Sequence, residues 1–326
     1  MRLIALVVVG MLAIPLVADT QQARKVFRIG FLGHGQPSPR TESFLAAFRR
    51  GMQEQGYLEG QHYVMEDRWM KEPREQFSAS VAELVRQPVD VFLAHGLRSA
   101  LIAKQVTTTV PIVVAIAINP VELGLIESLS HPGGNVTGVA YPADRAIVGK
   151  ELELLRDLAP QLSSVAFVYN ANNSVAEPYI TPLKEAADEL DLMLHLVAIR
   201  GSDDVDTALA TITKEKVGGL LVYSDTEIMA ERHRLIAFAD EQRLPTIWAT
   251  ERAVKDGALM SYGPNLPHMW RRAATYVARI FQGEKPADLP IERTDRIDLT
   301  INLKTAERRG ITIPPILLVQ ATKVIR

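Results

Sequence analysis

The sequence predicts an α/β protein of two Rossmann-like lobes, each a parallel sheet flanked by helices, joined by a three-strand hinge. Apolar runs of strand length alternate with helix-like periodic runs along most of the chain, and this alternation favours parallel sheets covered on both faces. The length of 326 residues exceeds the size at which a single core grows efficiently. Residues 119–138 also interrupt the alternation with turn signals, after which a second series begins.

The first series starts with an apolar strand and a proline-containing loop, after which Thr41 is expected to cap a helix. Its strands are predicted over residues 26–32, 61–69, 89–93 and 111–118. Its helices are marked by apolar residues at helical spacing, namely Phe44, Phe48 and Met52, then Phe77, Val81 and Leu84, and last a short helix with Leu125, Ile126 and Leu129 facing inward.

The second series repeats the pattern. Its strands are predicted over residues 164–169, 192–199, 218–223, 245–249, 258–264 and 297–303. Its helix faces include Leu154, Leu155 and Leu158, then Tyr179 and Leu183, then Val205 and Ile212, then Leu235 and Ile236, and last Trp270, Ala273 and Val277.

Three links between the lobes are predicted, at residues 119–138, 258–264 and 286–290. The first lobe is then expected to contain residues 26–138 and 264–290, and the second residues 139–263 and 291–326. Such a hinge permits opening and closing, because a few residues at the ends of elements absorb the rotation.

The composition excludes several classes of function. A formal net charge of −2 supplies no basic field, so a nucleic-acid partner is not expected. The chain has no cysteine, which removes thiolate metal sites and thiol catalysis. The histidines show no ligand spacing, and neither a GxSxG elbow nor a GxxxxGK[ST] loop is present, so no metal, cofactor or catalytic residue is predicted.

The N-terminus has the pattern of an export signal. Arg2 precedes an almost wholly apolar run over residues 3–17, and a polar run follows Ala18. The apolar run is shorter than the ~20 residues of a membrane-spanning helix. We therefore expect residues 1–18 to be a cleaved signal peptide and the mature protein to be periplasmic, with an uncleaved anchor as the alternative.

Candidate binding residues lie where strands end, because ligands of parallel α/β sheets bind outside the carboxyl ends of the strands. Their polar side chains and the helix N-termini beside them suit a small polar solute and its carboxylate. The candidates are His34, Gly35, His95, Gly96, Leu97, Ser99, Ala117, Asn119, Asn170, Asn173, Ser224, Asp225 and Trp248.

Several of these residues have structural explanations as well. Ser99 and Asn173 have the residue types that cap helices, and Asp225 is either a cap or a partner for a ligand ammonium group. Gly33, His34 and Gly35 resemble the start of a dinucleotide fingerprint, but the third glycine and the acidic partner are absent.

Six ordered motifs give the chain a specific resemblance to the ABC transporter substrate-binding protein family that includes tryptophan- and tyrosine-binding members. They are GYLEG at 56–60, NPV at 119–121, PGGNVTG at 132–138, SYGP at 261–264, PADLP at 286–290 and INLKTA at 301–306, and RIGFL at 28–32 accompanies them. Asn119 stands where the family commonly has aspartate, which removes a carboxylate near the cleft.

The resemblance implies a type I periplasmic binding fold that closes on a small solute, often an amino acid or another small, sometimes aromatic, carboxylate. It also implies delivery to the membrane permease of an ABC importer, and no catalysis. We expect such a receptor to be a monomer. The alternative is a secreted α/β enzyme acting on a small polar metabolite. A transcriptional regulator of the same fold would need an N-terminal helix-turn-helix, where this chain has an apolar export signal.

Overall fold

The structure, a computed structural model, describes residues 25–70, 74–141, 145–173 and 176–326. The predicted signal peptide, residues 1–18, lies outside these ranges. Two mainly parallel sheets, each flanked by helices, confirm the predicted α/β fold of two lobes. Over the described ranges, a helix with the length and apolar character needed to cross a bilayer is not found.

The strands and helices alternate along the chain as the sequence predicts. The strands are β1 (Phe27–His34), β2 (Tyr63–Met70), β3 (Val91–Ala94), β4 (Ile112–Ile118), β5 (Val136–Tyr141), β6 (Ser164–Asn170), β7 (Met193–Ile199), β8 (Gly219–Val222), β9 (Thr246–Trp248), β10 (Met260–Pro264), β11 (Glu292–Arg293), β12 (Ile297–Asn302) and β13 (Lys323–Ile325). The helices are α1 (Pro39–Glu54), α2 (Arg74–Val85), α3 (Leu97–Val106), α4 (Arg145–Leu158), α5 (Glu177–Glu189), α6 (Asp204–Lys214), α7 (Thr226–Ala230), α8 (Arg232–Glu241), α9 (Glu251–Lys255), α10 (Leu266–Phe281), α11 (Leu303–Arg309) and α12 (Pro315–Gln320).

The first sheet has the strand order β11-β5-β4-β3-β1-β2, and all of its pairs are parallel. The second has the order β13-β12-β10-β9-β8-β6-β7, in which only the β10–β12 pair is antiparallel. Parallel neighbours place their carboxyl ends along one edge of a sheet, where the loops that carry the candidate residues begin.

The chain passes between the lobes after β5, between β10 and α10, and between β11 and β12. The first passage includes residues 142–144, which lie outside the described ranges. Since β5 and β11 pair in the first sheet, we propose to assign both strands to the first lobe. The expected bounds at 138 and 290 would instead divide β5 and exclude β11.

Helix α10 returns to the first lobe and completes its core. Trp270 is fully buried there and stacks on Phe44 of α1, with ring centroids 5.7 Å apart. Ala273, Ala274 and Val277 of α10 are fully buried in the same cluster. The apolar residues that recur every four positions in α1 therefore pack against α10, a helix that lies more than 200 residues later in the chain.

Two local predictions were wrong. Helix α1 begins at Pro39 and is capped by Ser38, whose Oγ accepts from the backbone N–H of Thr41 at 3.2 Å. Proline is favoured in the first turn because its missing N–H would be unpaired there anyway. The short helix expected around Leu125 is a series of turns instead, since Asn119 (φ 42°) and Gly124 (φ 71°) adopt left-handed conformations that end a helix.

Candidate functional site

Predicted site residues of both lobes lie at the carboxyl ends of their strands. His34 ends β1 and His95 follows β3, while in the second lobe Asn170 ends β6 and Asp225 comes shortly after β8. Arg40 of the first lobe lies near enough to Arg232 and Arg252 of the second for their charges to interact.

His95 is a neutral residue of the first wall, the loops at the carboxyl end of the first sheet. Its ring packs edge-on against Trp270 and Phe44, with centroids 5.3 and 6.1 Å away. Burial, and then the nearby charges of His34 and Arg40, lower the pKa of His95 to about 3. Its Nδ1 is buried without a hydrogen-bond partner among the described residues. His95 therefore offers a neutral imidazole at physiological pH.

Arg40 is a partly buried cation at the start of α1. Its guanidinium carbon lies 5.6 Å from the centroid of the Phe44 ring. It makes no side-chain hydrogen bond or ion pair with any residue that the structure describes. Burial lowers the pKa of Arg40, and the charges of Arg252 and Arg232 lower it further. Because those two arginines belong to the second lobe, the two walls face each other here.

Arg232 and Arg252 share one carboxylate. Both donate from Nε to Oδ2 of Asp256, at 2.6 and 2.8 Å respectively. Partial burial opposes ionisation of Asp256, but the hydrogen bonds from the two arginines outweigh it, so the pKa of this carboxyl is lowered. Arg232 and Arg252 therefore share Asp256 as a carboxylate partner.

Asp225 and Asn173 are brought together on the second wall. Asn173 donates from Nδ2 to Oδ2 of Asp225 at 2.9 Å. The other oxygen, Oδ1, accepts from the backbone N–H of Ile228 at 2.9 Å and caps α7. Asn170 Oδ1 similarly accepts from the backbone of Asn172. Hydrogen bonds within and between these two loops thus hold the polar side chains of this wall in place.

The remaining predicted residues have mainly structural surroundings. Ser99 donates from Oγ to the carbonyl oxygen of Gly96 at 3.0 Å. Leu97 and Ala117 are buried in the first lobe, and Trp248 is buried in the core of the second. Ser224 donates from Oγ to the carbonyl oxygen of Val222 at 3.4 Å. Gly35 (φ 73°) and Asn119 (φ 42°) adopt left-handed backbone conformations in their turns.

A buried carboxyl and several tyrosines form a second polar cluster near the passages between lobes. Glu151 is fully buried, and its Oε2 accepts from Tyr179 Oη at 3.5 Å. Burial raises the pKa of Glu151 well above its ordinary value, and the Tyr179 hydroxyl offsets this only in part. Burial, and then the charge of Glu151, raise the pKa of Tyr141. Glu151 Oε1 and Tyr141 Oη have no hydrogen-bond partner among the described residues.

Sequence reasoning missed Arg40, Arg232, Arg252 and the Glu151 cluster. A signal for the arginines was available, since each lies in the first turn of a helix near the carboxyl end of a sheet. A cation at that end opposes the helix dipole, an arrangement that costs about 0.3–1 kcal/mol. The described residues contain no group of three or more His, Asp or Glu side chains placed to hold a metal ion.

A protein-family model described as "ABC transporter substrate binding protein" matches residues 39–325. The match begins at the first residue of α1 and runs through β13, so it covers elements of both lobes, with β1 before its start. A curated tyrosine-binding protein of Clostridioides difficile (strain R20291) is 24% identical over 267 residues, which cover 82% of this chain and 76% of that protein.

Solved structures show the same fold. A conserved domain protein from Vibrio cholerae O1 biovar El Tor strain N16961 superposes with a TM-score of 0.83 at 26% identity, covering 92% of this chain and all of that one. An ABC domain in complex with L-Trp from Streptococcus pneumoniae also gives 0.83, at 22% identity and with the same coverage. The ligand-free, open structure of a Clostridium difficile substrate binding protein gives 0.72 at 23% identity, covering 92% of this chain and 99% of that one.

Proposed function

The chain belongs to the ABC transporter substrate binding protein family, and we propose that it is the receptor of an importer that closes on an amino acid or a related small carboxylate, with an aromatic side chain favoured. The observation that carries the proposal is the family match over both lobes. Such a receptor needs two walls and a hinge, and the three passages between the sheets supply the hinge.

The ligand class rests on the relatives. One related protein is a tyrosine-binding protein, and a structure of the same fold was solved with L-Trp. A free amino acid carries a carboxylate, an ammonium group and a side chain, and the cleft walls offer groups of matching chemistry. These are the arginines and helix N-termini for the carboxylate, Asp225 for the ammonium, and the imidazole of His95 for a ring.

Closure follows from contacts with both walls. A ligand stabilises the closed state only by binding it more strongly than the open state. A solute that contacts His34 or His95 on one wall and Asn173 or Asp225 on the other satisfies this condition. We therefore keep the predicted loop residues as the proposed binding surface.

We further propose that the mature protein acts in the periplasm as a monomer and delivers its ligand to a membrane permease. The apolar segment over residues 3–17 supports export, and the family membership supports a permease partner. Fractionation of cells and N-terminal sequencing of the mature protein test export and cleavage, and size-exclusion chromatography with light scattering tests the monomeric state.

Native mass spectrometry and thermal unfolding test the ligand. The protein without residues 1–18 is measured as purified and after refolding, then melted with each of the twenty amino acids and with aromatic acids. A ligand at 100 times its Kd adds about 2.7 kcal/mol to the free energy of unfolding. That gain raises the Tm by several degrees for a chain of this size.

The ligand recovered after incubation separates the two functions. An amino acid that raises the Tm and is recovered unchanged supports the receptor. A compound that is chemically converted supports the alternative, a secreted enzyme. If no amino acid or carboxylate changes the melt, the proposed ligand class is wrong, although the family membership is unaffected.

A further inference from the structure

Helix α4 lies at a junction that joins the two lobes. Leu154 and Leu155 of this helix belong to the core of the second lobe, yet Ile147 near its start packs against the core of the first. From the other side, Ile118 at the end of β4 packs against the cores of both lobes and is the register partner of Tyr141 in β5. The lobe junction is therefore formed by the first half of α4 and the ends of β4 and β5.

Glu151 is a buried carboxyl at the lobe junction. It follows Ile147 by four positions, so the two side chains share one face of α4. Glu151 is fully buried, and its Oε2 accepts from Tyr179 Oη at 3.5 Å, while its Oε1 has no hydrogen-bond partner among the described residues. No cation in the described part of the chain acts on this carboxyl. Burial without a cation disfavours the ionised form, so Glu151 keeps its proton here.

Tyrosines face Glu151 from the neighbouring elements. Tyr179 extends from α5 and packs its ring edge-on against Tyr223, with centroids 5.4 Å apart. Tyr141 of β5 and Tyr262 of β10 lie near enough for the charge of Glu151 to act on them. Burial raises the pKa of all four phenols, so they stay neutral at physiological pH. The other elements packed on α4, namely α12, β8 and β9, carry no ionisable side chain, so Glu151 is the group of this cluster that can exchange a proton near neutral pH.

The cluster lies on the cleft side of the passages between the lobes. Tyr141 ends β5 in the first sheet and Tyr223 directly follows β8 in the second, and both positions are at the carboxyl ends of parallel strands. The charge of Asp225 on the second wall also acts on Tyr223. Rotation about the passages moves Tyr141 with the first sheet and Glu151 with α4, so opening of the cleft admits water to the carboxyl. Hydration then removes the penalty on its ionised form.

We propose that Glu151 is a proton-binding site at the lobe junction, which holds its proton while the lobes are closed and releases it to water when they open. Ligand binding, which closes the lobes, then takes up one proton onto the carboxylate. The inference rests on the proposed receptor function, because closure is the event that it couples to the proton. Such a receptor holds its ligand more tightly in a more acidic medium.

Ligand affinity measured against pH tests the coupling. L-tyrosine and L-tryptophan are titrated calorimetrically into the wild type, Glu151→Gln and Glu153→Gln between pH 5 and 7.5, a range in which both amino acids keep their own charges. Glu153 is the control because it lies on the same helix with a half-exposed side chain that pairs with Lys150. The Kd of the wild type and of Glu153→Gln should rise with pH, by up to about tenfold per pH unit. Glutamine cannot release a proton, so Glu151→Gln should lose most of this dependence.

Proton uptake can also be counted in the wild type without any variant. The titration is repeated at pH 7 in phosphate and in imidazole, two buffers that differ in their heat of ionisation. The difference in the observed heat gives the number of protons exchanged on binding. We expect a net uptake of up to one proton by the wild type and a correspondingly smaller uptake by Glu151→Gln. Protons bound by His34 and His95 contribute equally to both proteins and cancel in this comparison.

A third measurement needs no ligand. The chain has no cysteine, so spin labels can be attached at Ala46→Cys on α1 and Ala230→Cys on α7, two exposed positions on helices that follow the carboxyl ends of β1 and β8. Lowering the pH from 7.5 to 5 should increase the population with the shorter distance in the wild type, because the proton binds the closed form more strongly. The distances in Glu151→Gln should respond less.

The outcomes separate the inference from the function on which it rests. If neither amino acid binds but the label distances respond to pH through Glu151, the proposed ligand class fails and the proton site stands. If an amino acid binds with the same pH dependence in the wild type and Glu151→Gln, the receptor stands and the inference is wrong. Binding without proton uptake by the wild type, or label distances with the same pH response in both proteins, also contradicts the inference.

Discussion

Asn173 donates a hydrogen bond from Nδ2 to Oδ2 of Asp225 at 2.9 Å, which ties the loop after β6 to the loop after β8. The second oxygen of Asp225 caps α7 through the backbone N–H of Ile228. Both carboxylate oxygens thus have a structural partner before any ligand binds. The two roles considered for Asp225, cap and ammonium partner, are therefore best separated by experiment.

Asp225→Ala should lower the free energy of unfolding by about 1 kcal/mol, the usual cost of losing an N-cap. Asp225→Asn keeps a good cap but removes the charge, so its stability should remain near that of the wild type. If Asp225 also binds the ligand ammonium, Asp225→Asn should weaken amine-bearing ligands by about 1.5–3 kcal/mol. Chemical denaturation and calorimetry measure the two effects, and unchanged affinity in Asp225→Asn would leave Asp225 with the structural role alone.

His95 should make the free energy of unfolding depend on pH below about 6.5. Its pKa is about 3 in the folded protein against an ordinary 6.5, so the unfolded chain binds the proton more readily between these values. Stability should therefore fall as the pH is lowered from about 6.5, at up to ~1.4 kcal/mol per pH unit from this residue. Above pH 6.5 it should have no effect.

Urea unfolding of His95→Gln between pH 7 and 5 checks this expectation. The variant should be less stable overall because a packed ring is replaced, but its stability should change less with pH. The exposed His233 provides the control, His233→Gln, which should retain the wild-type slope. An equal slope in His95→Gln and the wild type would contradict a neutral, partly buried His95.

Glu151→Gln should stabilise the protein at neutral pH. The folded protein holds the Glu151 proton more tightly than the unfolded chain, so stability is lost as the pH rises above about 4.5. Glutamine has the same shape without the ionisable proton, so the gain should be up to about 1.4 kcal/mol for each pH unit above 4.5 over which folded Glu151 keeps its proton. The gain should vanish near pH 4.

The exposed Glu153 on the same helix offers the matched variant, Glu153→Gln, for which little change is expected. Thermal unfolding of both variants at pH 4, 6 and 8 makes the comparison. A Glu151→Gln protein that is less stable than the wild type at pH 8 would show that Glu151 is ionised and paired.

Gly138→Ala should be among the most damaging single substitutions in the first lobe. Gly138 has φ 138°, and a Cβ there would lie 2.1 Å from the carbonyl oxygen of Val114 on the neighbouring strand. The backbone of β4 would have to move, so we expect a loss of about 4 kcal/mol or more. Gly134→Ala, with φ 65° and open space around it, should cost only ~1–2 kcal/mol. Similar Tm values for the two variants would contradict this difference.

Most of the fold could be predicted because its signals are local. Alternating apolar runs located the strands from β1 to β12 apart from β5 and the two-residue β11, and four-residue spacing located helices such as α1. The short β13 escaped because Lys323, Val324 and Ile325 carry too little pattern to mark a strand, and only pairing with β12 makes them one. The error around Leu125 arose because apolar spacing was given more weight than Gly124.

The site could be predicted only in part, for a different physical reason. The carboxyl-end rule located the loops of both walls, but it did not say which side chains would meet. Arg40 and Arg252 are more than 200 positions apart, and their closeness depends on how the two lobes pack. The burial of Glu151 likewise arises from the tyrosines around it and not from the α4 sequence alone.

The position of α10 also sets the order in which the protein can fold during synthesis. Strands β1 to β5 of the first sheet are complete at Tyr141, yet the helix that covers Phe44 begins only at Leu266. About 125 further residues must be translated, which takes roughly 6–25 s at about 5–20 residues per second. The first lobe therefore stays at the ribosome with an uncovered apolar face while strands β6 to β10 of the second lobe are being made.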